Sequence, residues 1–249
     1  LGAVMAFSAT AQKTYTYTSV PNDPMQVRVY TLANGLKVYL SKNDDAPRIQ
    51  TNIVVRAGSK YDPASATGLA HYLEHMLFKG TQDIATLNWP MESGYLQQIS
   101  DLYEKRRTVT DTTQRAILYH QIDSLSTIAA TYAVPNEYDK MVASLGAKGT
   151  NAYTSTERTV FVNDIPSNAQ EKWMMIESHR FQDLVLRLFH TELEAVFEEF
   201  NRGQDNDYRK VSEAMNRELY KKHPYGTQTT IGRGEDLKNP SMVKIHQYF

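Results

Sequence analysis

The chain has 249 residues, of which 41% are hydrophobic and 22% are charged, and its formal net charge is −1. This length allows a sizeable buried core, and the composition is ordinary for a globular protein. The near-neutral charge gives no basic field for binding nucleic acid. The absence of cysteine excludes disulfides, thiolate metal sites and cysteine nucleophiles. Any bound metal must therefore be held by histidines and carboxylates.

The first eleven residues predict the end of an export signal. The apolar run Leu1–Phe7 is followed by Ala9-Thr-Ala11, a small-x-small pattern typical of cleavage before Gln12. We expect residues 1–11 to be a signal-peptide remnant and residues 12–24 a polar linker. The protein would then be periplasmic or associated with the cell envelope. The alternative is that residues 1–11 are a short apolar strand or a disordered tail. We expect no transmembrane segment, because no later run reaches roughly 18 apolar residues.

The main predicted domain, residues 25–249, begins with strands. Val27–Leu32 and Leu36–Leu40 alternate apolar and polar residues on either side of Asn34-Gly35, which is a strong hairpin signal. A third strand is predicted at Gln50–Val55.

Helical spacing of apolar residues then dominates the chain. The pattern predicts a helix over Ala66–Lys79 stopped by Gly80, a helical hairpin at about 91–133, and a short helix over Asn136–Leu145. The later predictions are a strand at Thr159–Asn163, a helix over 167–186 with Ser167 and Gln170 as a capping box, helices over Thr191–Asn201 and Asp207–Lys222, and a last helix with Asn239 as N-cap and Pro240 as N1. This order favours an α+β fold with helices packed on one face of a largely antiparallel sheet. The last helix meets no stop signal before Phe249, so we expect the domain to continue.

Residues 71–75 read His-Tyr-Leu-Glu-His within the first predicted helix. His71 and His75 are four residues apart, so both imidazoles project from one helix face and can bind one metal ion. Glu74 leans toward the same face and can act as general base on a water bound to the metal. Surface histidines capping a helix are the alternative, but the apolar neighbours Leu73 and Met76 indicate a buried helix. We therefore predict metal binding, and zinc suits two histidines, one carboxylate and an open water position.

A third ligand is expected from the acidic helix Thr191–Asn201. Glu192 and Glu199 fall on one flank of its apolar face, and Glu194 and Glu198 fall on the other. Helical spacing alone does not choose between the two pairs, and the losing pair is expected to face solvent.

The segment from Gly68 to Thr81 resembles the zinc helix of the pitrilysin/insulinase family of metallopeptidases, the inverzincins. Asn151-Ala-Tyr-Thr-Ser155 is similar to a strand motif of the same family. His223-Pro-Tyr-Gly226 and Glu235-Asp-Leu237 also resemble it. The 124 residues from His75 to Glu199 exceed the usual family interval, and the helical hairpin at about 91–133 is interpreted as a surface insertion.

The resemblance implies one zinc ion held by His71, His75 and Glu199, with Glu74 catalytic and Glu192 supporting the ligands or the catalysis. It also implies that peptide substrate adds as a strand beside Asn151, Ala152 and Tyr153. Further peptidase-like domains are expected, either later in the same chain or in a partner subunit.

Two functions follow from the sequence. The first is a zinc endopeptidase that hydrolyses peptides or unfolded polypeptides, with Glu74 as general base. The second is a catalytically silent structural or peptide-binding subunit of a processing-peptidase-like complex. Retention of His71, Glu74 and His75 argues for the first function.

Overall fold

The computed structural model describes residues 15–249, and the chain divides into two compact units, Leu1–Pro47 and Arg48–Phe249. The predicted signal remnant and the first residues of the predicted linker lie outside the described residues. The domain boundaries and the export signal therefore stay predictions. Within residues 15–249, no helix combines the length and apolar character needed to cross a membrane.

The first unit contains a three-stranded antiparallel sheet. Its strands, in spatial and chain order, are β1 (Tyr17–Thr18), β2 (Arg28–Thr31) and β3 (Lys37–Leu40). The predicted hairpin between β2 and β3 is present: Gly35 has φ +88°, and the Asn34 side chain accepts a hydrogen bond from Leu36 N at 3.1 Å. Asn-Gly therefore closes this turn as expected from its conformational preferences.

The second unit contains three strands and ten helices among the described residues. The strands are β4 (Arg48–Val55), β5 (Lys148–Thr154) and β6 (Thr159–Pro166). The helices are α1 (Leu69–Met76), α2 (Trp89–Thr108), α3 (Thr112–Ala130), α4 (Glu137–Ser144), α5 (Gln170–Arg180), α6 (Phe189–Gln204), α7 (Asp207–Leu219), α8 (Pro224–Thr227), α9 (Gly234–Leu237) and α10 (Met242–Tyr248). Short 3₁₀ turns form at Ser59–Tyr61 and Ser167–Ala169.

The second sheet is antiparallel throughout, with the spatial order β4–β6–β5. The central strand β6 is the most buried, and its Phe161 and Ile165 side chains are almost inaccessible to solvent. Helix α1 contacts β5 and β6, and α5 contacts β6. The predicted α+β fold of helices on an antiparallel sheet is confirmed.

The hydrophobic core joins α1 to the later helices. Tyr72 and Met76 of α1 are buried with Phe189 and Val196 of α6. The predicted helical hairpin is present as α2 and α3, which pack along each other and extend the same core through residues such as Ile122. Burial of this apolar face provides the main favourable free energy for holding these helices together.

Helix α1 is shorter than the predicted Ala66–Lys79. It begins after Gly68, which has φ +86°, and the Asp62 carboxylate accepts hydrogen bonds from Gly68 N at 2.7 Å and Ala70 N at 3.0 Å. The aspartate thus satisfies amide groups at the helix start from outside the helix. After Met76 the chain tightens into i→i+3 hydrogen bonds, and Gly80 with φ +91° ends the turn.

Three other helix boundaries were wrong. Helix α5 spans only Gln170–Arg180, and the Ser167 side chain forms no cap. Leu184, Val185 and Leu186 are all buried, and three consecutive buried residues do not fit one face of a surface helix. The last helix has Ser241, not Asn239, as its N-cap, because the Ser241 hydroxyl accepts a hydrogen bond from Lys244 N at 3.0 Å. Helix α6 is longer at both ends than the predicted Thr191–Asn201.

Candidate metal centre

Helix α1 places its two histidines side by side at the bottom of a cleft. The Nε2 atoms of His71 and His75 lie 3.3 Å apart, and the rings meet edge to face. The side chains are 11% and 25% exposed, so both imidazoles are largely removed from water. Their i,i+4 spacing on one helix face produces this convergence directly.

Helix α6 adds a carboxylate to the two imidazoles. Glu199 Oε2 lies 3.6 Å from His71 Nε2 and 3.7 Å from His75 Nε2. The Glu199 side chain is 54% exposed and lines the cleft, so the cluster of His71, His75 and Glu199 is accessible from the cleft. The competing glutamates Glu194 and Glu198 are exposed and are absent from the cleft lining. The structure therefore brings the Glu192–Glu199 flank of α6 toward α1.

Glu192 contacts the other nitrogen of His75. Its Oε1 lies 2.8 Å from His75 Nδ1, and Lys79 Nζ lies 2.5 Å from its Oε2. Burial alone would raise the pKa of Glu192, but the hydrogen bonds from His75 and Lys79 outweigh burial and lower that pKa. A carboxylate only accepts hydrogen bonds, so His75 donates from Nδ1 to Glu192, and Nε2 is the ring nitrogen that faces His71 and Glu199.

The donor set fits a zinc ion. The ligand atoms of His71, His75 and Glu199 all lie within 4.8 Å of one another. Two nitrogens bound to tetrahedral zinc at about 2.0–2.1 Å stand roughly 3.3 Å apart, which matches the observed Nε2 separation. Burial, followed by the charges of His75 and Arg209, lowers the pKa of His71 to about 4, which keeps this imidazole neutral. Two imidazole nitrogens and one carboxylate oxygen thus lie close enough together to serve as ligands of one ion.

Glu74 lies on the same helix, beside the two histidines. It is 7% exposed, and Thr154 Oγ1 donates a hydrogen bond of 2.5 Å to its Oε2. Burial raises the pKa of Glu74, and the hydrogen bond from Thr154 only partly opposes that effect. A carboxyl group with a raised pKa is a stronger proton acceptor once it is ionised.

One edge of the second sheet borders the same cleft. Strand β5 pairs with β6 on one side, and no strand among residues 15–249 pairs with its other side. Asn151, Ala152 and Tyr153 of this strand line the cleft, whose volume is about 750 Å³, together with the two histidines and the site glutamates. The structure thus brings all the predicted site residues into one cleft. Their roles stay predictions.

Two side chains, Tyr72 and Arg187, hold α6 in place against α1. Tyr72 Oη donates a hydrogen bond of 2.5 Å to the Phe189 carbonyl at the start of α6. The buried Arg187 guanidinium donates to the carbonyls of Lys79 and Thr81 after α1. Arg187 also forms a bidentate ion pair with the buried Glu92 of α2 at 2.6 and 2.9 Å. These contacts fix the separation of the two metal-facing helices.

Sequence reasoning missed two residues that act on the site. Thr154 directly follows the three predicted substrate contacts, and its position opposite Glu74 depends on the packing of β5 against α1. Lys79 lies four residues after His75, so helical spacing was the available signal for its contact with Glu192. Both side chains position a charged group of the centre.

The sequence comparison agrees with this geometry. Residues 37–90, which include both histidines and Glu74, match the family model described as Insulinase (Peptidase family M16). Over this segment the chain is similar to peptidase family M16. The resemblance to the pitrilysin/insulinase family is confirmed.

Curated relatives are similar to this chain over short segments. Human insulin-degrading enzyme is 37% identical over 84 residues, which cover 34% of this chain and 8% of the relative. The probable mitochondrial-processing peptidase subunit beta of Arabidopsis thaliana is 43% identical over 56 residues, which cover 22% of this chain and 10% of the relative. The uncharacterized zinc protease YmxG of Bacillus subtilis is 33% identical over 55 residues, 22% of this chain and 13% of the relative.

One solved structure shows the extent of the shared fold. A protease from Helicobacter pylori superposes with a TM-score of 0.64 at 21% identity, covering 94% of this chain and 43% of that chain. The fold of this neighbour therefore extends over nearly the whole chain. The chain spans less than half of this structural neighbour.

Proposed function

We propose that this chain is the metal-binding part of a zinc-dependent endopeptidase that hydrolyses peptides or unfolded polypeptides. The observation that carries the proposal is the convergence of His71, His75 and Glu199, whose ligand atoms lie within 4.8 Å, beside the buried Glu74. His71, His75 and Glu199 would hold the ion. Peptidase relatives of this chain support the same chemistry.

The residues around the ion would have separate roles in proton transfer and in positioning the ligands. Zinc in a site of this kind polarises a carbonyl oxygen and lowers the pKa of a water molecule toward 7. Glu74 would accept the proton of the attacking water and pass it to the leaving amine, a role that suits its raised pKa. Thr154 holds the Glu74 carboxylate by one oxygen, which leaves the other oxygen free for the proton. Glu192 keeps the His75 ring oriented toward the ion.

The free edge of β5 supports a peptide substrate. An extended peptide can add to an unpaired strand through main-chain hydrogen bonds. Asn151, Ala152 and Tyr153 lie on that edge and line the cleft with Glu74, so an added strand would run past the general base. Backbone pairing of this kind is independent of sequence, which fits unfolded polypeptides as substrates.

The test is the substitution Glu74→Gln, which keeps the shape of the side chain and removes its basicity. Hydrolysis of a fluorogenic peptide should become undetectable, while zinc content stays at one ion per chain. Glu194→Gln is the matched control, because Glu194 is an exposed glutamate outside the cleft. Full activity in Glu74→Gln would contradict the mechanism. A wild-type protein that binds peptide without zinc or hydrolysis would identify the catalytically silent subunit instead.

The proposal extends to partners and location. The M16 resemblance implies further peptidase-like domains that help to hold the substrate. On that basis we expect residues 12–249 alone to bind zinc but to cleave peptides poorly. Export to the periplasm or cell envelope also stays a proposal, to be tested by fractionation and by sequencing the mature N-terminus.

A further inference from the structure

The described residues that line the cleft include one lysine and one arginine, Lys79 and Arg209. Lys79 is committed to Glu192 at 2.5 Å. Arg209 lies in the first turn of α7 and donates one hydrogen bond from Nε to Glu213 Oε1 at 2.7 Å. Its side chain is 30% exposed. Arg209 is therefore the cation of the cleft that remains accessible to a ligand.

The position of Arg209 is set by a glycine on the neighbouring helix. A Cβ atom at Gly203 would lie 2.2 Å from Arg209 Nη1, so the guanidinium lies directly against the backbone of α6. Gly203 follows Glu199 by four residues and shares its helix face. Residues with this spacing are about 5–6 Å apart. The guanidinium thus lies about one helical turn beyond the carboxylate proposed to hold zinc.

Most of the hydrogen-bonding capacity of this guanidinium is unused. Arginine has five N–H donors in a planar fork that matches a carboxylate. Across residues 15–249, the side chain of Arg209 makes one hydrogen bond, through Nε. The two Nη groups can therefore donate hydrogen bonds to a second carboxylate without breaking the pair with Glu213.

An ordinary surface ion pair is the competing explanation, since Arg209 and Glu213 are four residues apart on α7. Lys210 is an example of such a surface ion pair. It pairs with Asp207 at 3.2 Å, is 57% exposed and is absent from the cleft lining. Arg209 differs because it packs on Gly203 and lines the cleft. Lys210 therefore serves as the matched control for Arg209.

We infer that Arg209 is a specificity-determining residue that binds an acidic side chain of a peptide substrate close to the scissile bond. The inference rests on the proposed function and adds a substrate class to it. In an extended peptide, side chains on one face repeat every roughly 6.6–7 Å. A residue one or two positions from the scissile bond can therefore reach a guanidinium located one helical turn from Glu199.

The other charged residues of the cleft predict a substrate preference opposite to the one that Arg209 predicts. Besides the site glutamates Glu74, Glu192 and Glu199, the lining includes Asp139 and Glu213. A cleft with so many carboxylates would favour cationic peptides if its summed charge decided specificity. The short-range contact with Arg209 predicts the opposite preference at one substrate position. Specificity measured position by position separates the two effects.

The experiment compares peptides that carry one Glu or one Gln at each position within three residues of the cleavage site. Binding is measured by fluorescence anisotropy in the zinc-loaded Glu74→Gln background, alone and combined with Arg209→Gln or Lys210→Gln. At one position, the Glu peptide should bind about tenfold more tightly than the Gln peptide, the effect of one charge-assisted hydrogen-bonded pair. Arg209→Gln should abolish this preference, and Lys210→Gln should retain it.

A second variant tests the same point if Arg209→Gln is poorly folded. Glu213→Gln removes the negative charge beside Arg209, which would repel an acidic ligand, and should strengthen binding of the acidic peptide. No preference at any position, or a preference that survives Arg209→Gln, would overturn the inference. Loss of zinc binding or of wild-type hydrolysis would count against the proposed function instead, since the Glu-to-Gln affinity ratio is measured independently of turnover.

Discussion

The contact between Glu192 and His75 gives a quantitative prediction for metal affinity. Glu192 is 15% exposed on its side chain and accepts hydrogen bonds from His75 at 2.8 Å and from Lys79 at 2.5 Å. The substitution Glu192→Gln keeps the length of the side chain but removes the negative charge that orients and polarises the imidazole. It also leaves the Lys79 ammonium without its ionic partner.

We expect Glu192→Gln to weaken zinc binding by about 10–100-fold, the usual effect of removing the hydrogen-bond partner of a ligating histidine. That range corresponds to about 1.4–2.8 kcal/mol of binding free energy. Because zinc stabilises only the folded chain, the same loss should appear in the zinc-dependent part of the free energy of unfolding at a fixed excess of free zinc.

The assay is competition for zinc against a chromophoric chelator, supported by thermal unfolding with and without zinc. Glu198→Gln is the matched control: it removes the same charge from the same helix at an exposed position outside the cleft. Equal zinc affinities for the two variants would refute the assignment of Glu192 as the partner that orients His75. A loss confined to the Glu192 variant would support it.

Two further predictions concern stability. Arg187→Met leaves the fully buried Glu92 without its partner and should lower the free energy of unfolding by about 3–5 kcal/mol in urea titrations, whereas an unchanged midpoint would contradict the tethering role of Arg187. Burial lowers the pKa of His190, so its stabilising contribution is present above the unfolded pKa of 6.5 and is lost as the pH falls toward the folded value. The urea midpoint of the zinc-free wild type should therefore fall more between pH 7 and pH 5 than that of His190→Gln, and equal falls would contradict the prediction.

The local sequence determined the parts of the centre that lie on one element. The spacing of His71, Glu74 and His75 places all three on one face of any helix that includes them. The hairpin at Asn34-Gly35 and the α2–α3 pair also follow from short-range preferences and from apolar periodicity. These features depend on neighbours within a few residues, which is why they were predicted correctly.

Helix boundaries depended on contacts that short-range patterns do not contain. The start of α1 is set by Asp62 and by the left-handed backbone of Gly68, which approaches Ile231 so closely that a Cβ atom would lie 2.5 Å from its carbonyl oxygen. The end of α5 is followed by the buried run Leu184–Leu186. Both boundaries involve burial or residues far along the chain.

Only the tertiary structure decided which glutamates meet the histidines. Helical periodicity gave α6 two equivalent carboxylate flanks, and the choice between them required the rotation of α6 against α1. That rotation is fixed by the buried face of Phe189, Leu193 and Val196 and by the hydrogen bond from Tyr72 to the Phe189 carbonyl. The sequence determined which candidate ligands lie together on one face of each helix. Core packing between distant helices decided which donors face one another, because burial of both apolar faces allows one relative orientation.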